Sequence, residues 1–148
     1  MRVSVTSHRE PEALRLDAFE HVAMFVLRME EVPDQAELSV AVVSVDEMAH
    51  LNEQYRGLEE PTDVLSFSCD DPCPTGGDEP IALGDVIVAP EIAEKNATES
   101  GGTIEAELNL LLVHGILHIL GYDHSSDEGA RVMEEREAVL LEAYADLG

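Results

Sequence analysis

Apolar positions along this chain switch between two spacings, and each switch marks a new element. Arg2-Val3-Ser4-Val5 alternates, which predicts a short strand over residues 1–6. From Glu12 to Met29 the apolar residues Leu14, Ala18, Val22, Phe25 and Met29 recur every three or four positions, the stripe of an amphipathic helix that Pro33 and Asp34 end. Leu38 to Val45 is β-branched and nearly all apolar, the pattern of a buried strand. Asp46 then suits the N-cap of a helix that runs to about Tyr55 and presents Met48 and Leu51.

The second half repeats the alternation. Val64–Phe67 predicts a short strand, and the Asp-, Pro- and Gly-rich stretch from about Cys69 to Pro80 predicts a loop. Leu83–Ala89 is another strand, after which Pro90 opens a helix at its favoured first position. Gly101 and Gly102 interrupt, and Thr103 caps a long apolar helix over residues 103–120 that Gly121 stops. Ser125 and Glu128 form a capping box for a last helix whose apolar positions are Val132, Val139 and Leu140. With no internal repeat or long linker, the pattern predicts one α/β (α+β) domain over residues 1–148. About four strands form a mixed sheet layered with about five helices, and one central apolar helix crosses the middle.

Composition narrows the picture. Aromatics are only 4% of a chain that is 45% hydrophobic, so the core is aliphatic. No apolar run approaches the roughly 18 residues that a membrane span needs, and the alternating N-terminus does not read as a signal peptide. The expectation is a cytoplasmic protein without membrane contact. Acidic residues outnumber Lys plus Arg by 32 to 8, a formal charge of −24. Such an excess repels polyanions at long range and argues against a domain that grips nucleic acid through a broad basic surface. Most of these acids solvate exposed helix faces. Cys69 and Cys73, in Cys-Asp-Asp-Pro-Cys, read as free loop thiols; a regulatory disulfide or an extra metal contact is the alternative.

The candidate chemistry lies on the central helix. His114 and His118 are four residues apart, so they share one face one turn apart, and past the Gly121 stop His124 can swing back towards them. Three histidines with an open fourth position suit a catalytic zinc. Buried imidazoles left unpaired cost on the order of 1–3 kcal/mol each, and a shared metal removes that cost. His118, Gly121 and His124 follow His114 at the offsets of the zinc-protease pattern, but the position of the protease's general-base glutamate is Gly115. That argues against a peptidase of the usual kind.

The segment His114-Gly-Ile-Leu-His-Ile-Leu-Gly-Tyr-Asp-His124 resembles the signature of the YbeY family of bacterial metal-dependent endoribonucleases. Asn52-Glu-Gln-Tyr-Arg56, Pro61-Thr-Asp-Val-Leu-Ser-Phe67 and Leu83-Gly-Asp-Val-Ile87 resemble that family's other motifs in order, and Met133 with Glu137 fits its closing helix. The departures lie between Cys69 and Pro80. The resemblance implies one zinc ion held by His114, His118 and His124, and a catalytic or substrate-orienting role for Arg56. It also implies cleavage of single-stranded RNA in maturing the 3′ end of small-subunit ribosomal RNA and in ribosome quality control. Read from the residues alone, Arg56 is either a guanidinium that forks onto a phosphate or a surface arginine paired with one of many acids. Asp63, Asp85 and Asp123 are candidates to orient a ligand histidine or to make local hydrogen bonds, and Tyr122 is expected to pack.

Two alternatives keep the metal and change the function: a zinc hydrolase of a small molecule or peptide, and a non-catalytic ribosome-associated zinc module. The acidic surface adds the expectation that RNA is reached with the help of a basic partner such as a ribosomal protein.

Overall fold

Strand β1 (Arg2–Ser7) leads into helix α1 (Leu16–Met29), and β2 (Ala36–Val42) leads into α2 (Val45–Arg56). Strands β3 (Val64–Ser68) and β4 (Ile81–Val88) follow, then α3 (Pro90–Ser100), α4 (Ile104–Ile119) and α5 (Asp127–Asp146). This computed structural model describes residues 1–7, 16–56, 63–69, 79–123 and 125–147. The start of the predicted first helix and most of the predicted loop after Cys69 lie outside them. No helix among the described residues is long and apolar enough to cross a membrane.

The sheet order is β1-β2-β4-β3, with β3 antiparallel to β4 and the other pairs parallel, so the expected mixed four-stranded sheet is present. Its register steps by one residue between Glu37 and Leu38, where β4 carries a bulge. Gly84 sits there at φ +145°, and a Cβ on it would lie 1.9 Å from the Phe67 carbonyl oxygen, so only glycine fits.

The two faces of the sheet differ. Leu38, Val40, Val42, Val86 and Val88 point into the main core beneath α1, α4 and α5. The other face carries a small cluster in which Met48 of α2 packs with Val43, Leu65 and Ala89. Beyond that cluster Ser4, Ser39 and Asp85 are exposed. β2 is therefore buried on one face only, not on both as its apolar run suggested; Ser39 and Ala41 mark the other face.

Several boundaries also differ from the sequence reading; β4, for one, starts two residues earlier, at Ile81, and ends one earlier, at Val88. β2 stops at Val42, because Ser44 already caps α2: its hydroxyl accepts from the Glu47 amide at 3.2 Å. Ser44, not Asp46, is the N-cap. α5 likewise starts one residue later than its capping-box reading. Ser126 accepts from the Gly129 amide at 3.0 Å, while Ser125 turns back to Asp123. The buried stripe of α5 is Met133, Glu137 and Leu140; Val132 and Val139 are nearly half exposed. The long helix matches its prediction. Thr103 accepts from the Ala106 amide at 3.1 Å, and Gly121 takes the left-handed stop at φ +106°.

Candidate metal centre

α4 touches α1, α3, α5, β3 and β4, and it is buried on nearly every side. Between Leu108 and Ile119 only Asn109, Leu110, His114 and His118 are partly exposed, and the last three, spaced by four, form a stripe along the helix. The two histidines therefore reach the surface from an otherwise buried helix.

Gly115 faces the sheet. A Cβ there would lie 2.8 Å from Val86 Cγ1 and 3.1 Å from Ser66 Oγ, and the Ser66 hydroxyl donates to the Gly115 carbonyl at 2.9 Å. The glutamate of the zinc-protease pattern has no room at this position, since each residue turns about 100° around the helix axis and this one meets β3 and β4. Packing of α4 on the sheet thus accounts for the departure noted in the sequence.

The His114 and His118 rings meet edge to face, their centroids 4.6 Å apart and their Nε2 atoms 3.1 Å apart. His114 Nδ1 donates to Glu137 Oε1 at 2.6 Å. Glu137 is only 8% exposed, so this carboxylate faces its histidine with little competition from water. With the proton on Nδ1, the Nε2 lone pair of a neutral His114 ring is directed towards His118. Two nitrogens bound to one tetrahedral zinc at the usual bond lengths lie about 3.3–3.4 Å apart. The observed 3.1 Å is within a few tenths of an ångström of that edge, and the carboxylate–histidine contact is the support such ligands use. The two histidines fit the ion.

Glu137, whose carboxylate meets His114, is not among the site residues read from the sequence. The available signal was a carboxylate four residues after Met133 and three before Leu140, inside a buried stripe.

The remaining candidates divide. His124 and the side chain of Arg56 lie outside the described residues, as does Cys73. Among the described residues no group of three or more His, Cys, Asp or Glu side chains gathers to hold a metal. Tyr55, just before Arg56, is 59% exposed and packs on Phe67 with ring centroids 4.7 Å apart. Asp63 accepts from the Asn96 amide group at 3.3 Å, and Asp85 is exposed on the sheet face opposite α4. The carboxylate on His114 comes from neither. Asp123 accepts from the Ser125 amide and hydroxyl, a local turn. Cys69 is an exposed free thiol.

Tyr122 packs against the core, as expected, and also donates its hydroxyl to Glu30 Oε2 at 3.0 Å. Burial, and then this bond to a carboxylate, push the Tyr122 phenol above its ordinary pKa. The other oxygen of Glu30 accepts from Arg136 Nε, which raises the arginine in turn.

Comparison with known proteins agrees with the four motifs. The family pattern described as Endoribonuclease YbeY matches residues 5–145. An Endoribonuclease YbeY of Pelotomaculum thermopropionicum is 42% identical over 120 residues, covering 80% of this chain and 79% of that protein. The Bacillus subtilis protein of the same name is 38% identical over 134 residues, covering 87% and 85%. That of Salinispora tropica is 42% identical over 136 residues, covering 86% and 87%. A solution structure from Thermotoga maritima superposes with a TM-score of 0.66 at 32% identity, over 95% of this chain and 87% of that one. A match this long, at this identity, on a shared fold places the chain in the YbeY endoribonuclease family.

Proposed function

We propose that this protein is a zinc-dependent endoribonuclease that cleaves single-stranded ribosomal RNA in the cytoplasm, maturing the 3′ end of the small-subunit RNA and serving ribosome quality control. The observation that carries the reading is the pair of converging His114 and His118 Nε2 atoms, with His114 held from behind by Glu137. His124 is the third ligand in this proposal. Zinc held there supplies the Lewis acidity and positive charge that phosphodiester cleavage needs and that a surface of formal charge −24 lacks.

The chain's own side chains have narrower tasks. Glu137 holds the His114 ring in one tautomer and one orientation. Arg56 takes the scissile phosphate in a forked contact and meets charge growing on its oxygens, a role that rests on the family resemblance. The acid excess keeps RNA from binding elsewhere on the surface, and a basic partner such as a ribosomal protein brings the substrate close.

The test is cleavage of a short single-stranded RNA, with and without ribosomal subunits, by the wild type and two variants. Wild type cleaves; His118→Ala loses zinc and cleavage together; Arg56→Ala keeps zinc and thermal stability but loses cleavage. Cleavage unaffected in Arg56→Ala removes the arginine from the chemistry. A zinc-loaded wild type that never cuts RNA supports the non-catalytic module or a different substrate. Products ending in a 2′,3′-cyclic phosphate identify the RNA 2′-hydroxyl as the attacking group; a 3′-hydroxyl paired with a 5′-phosphate identifies water.

A further inference from the structure

Glu30 is a carboxylate 11% exposed at the C-terminal end of α1, and the chemistry proposed above gives it no part. Both of its oxygens are engaged by residues beside the metal centre. Oε2 accepts from Tyr122, 92 residues away and two residues before His124 in the chain. Oε1 accepts from Arg136, whose neighbour in α5 is Glu137, the residue that holds His114. Arg136 also reaches the Met29 carbonyl with its terminal nitrogen at 3.5 Å, so the guanidinium spans the end of α1.

The turn that Tyr122 belongs to is itself tied to the ligand helix. The Gly121 amide donates to the His118 carbonyl at 3.1 Å, and the Tyr122 amide donates to the Leu117 carbonyl at 3.0 Å. Glu30 thus joins the turn after α4 to α5 at one point, and each partner is one or two residues from a group of the site. In a chain with 32 acids and 8 Lys plus Arg, one arginine is held at this point.

We infer that Glu30 is a positioning residue for the metal centre: through Tyr122 and Arg136 it sets the turn leading to His124 and the placement of Glu137 behind His114. A carboxylate is needed because it accepts from two donors in different directions; a glutamine keeps the shape but turns one acceptor into a donor. This inference rests on the zinc reading above.

The measurement is zinc affinity of the intact chain, by competition with a chromophoric chelator, well below the melting temperature of every variant. Glu30→Gln and Tyr122→Phe are compared with wild type and with Val22→Ala, a buried position of α1 remote from these hydrogen bonds that serves as a stability control. Glu30→Gln weakens zinc binding by about tenfold, the lower end for partners that support a metal ligand. Tyr122→Phe, losing one hydroxyl, weakens it less, and Val22→Ala lowers stability with zinc affinity unchanged. Two results overturn the inference while leaving the zinc reading intact: wild-type affinity in Glu30→Gln, or an equal loss in Val22→Ala. A wild type that takes up no zinc overturns both.

Discussion

The two faces of the sheet are built to different standards. Beneath α1, α4 and α5 the side chains are aliphatic and closely packed, and the histidine pair lies at the outer edge of that packing. On the opposite face, α2 covers a small cluster, and a groove of about 530 Å³ runs past Ser39, Tyr55, Phe67 and Asp85. Both faces belong to the same four strands, so the difference is not one of secondary structure. It shows where geometry is held tightly. If His114 and His118 hold one ion, as proposed, their Nε2 spacing must stay within a few tenths of an ångström, and close packing on the sheet supplies that rigidity.

That contrast can be broken by substitution. Leu112 is fully buried in α4, so Leu112→Ala lowers stability by about 2–5 kcal/mol in denaturant unfolding. Gly115→Ala forces a methyl against Val86 and lifts α4 from the sheet, at a cost of about 1–3 kcal/mol. On the proposed zinc reading, affinity for the ion falls with it, because His114 and His118 ride on the same helix. Glu137→Gln leaves the fold in place and weakens zinc binding by about 10–100-fold, read by chelator competition. Ser39→Ala on the open face changes stability by no more than about 0.5 kcal/mol. If Ser39→Ala matched Leu112→Ala, the two faces would not differ in the way described.

Much of the architecture was legible in the sequence because it follows from local rules. Period, Pro90 at a helix start, Thr103 as a cap and Gly121 as a stop each act within a few residues. The readings that failed needed information from elsewhere in the fold. Ser44 and Ser126, not Asp46 and Ser125, are the caps, because residues of equal capping ability one or two positions apart are separated only by where the preceding strand or turn ends. The stripe of α5 was misphased because two valines looked like better core than a glutamate. Glu137 is buried there because it has His114 to receive it, and nothing within α5 announces a partner 23 residues earlier. Glu30 is the same case at longer range. The His114–His118 spacing, by contrast, was readable outright, since a helix brings i and i+4 together whatever surrounds it.

The proposed function stands or falls with a metal held on the partly exposed stripe of α4. Elemental analysis of the purified wild-type chain and of His118→Ala, after equilibration with zinc and removal of excess, tests it most directly. One zinc per wild-type chain is expected, with a large loss in the variant and the fold retained. Equal zinc in both proteins, or none in the wild type, would contradict it.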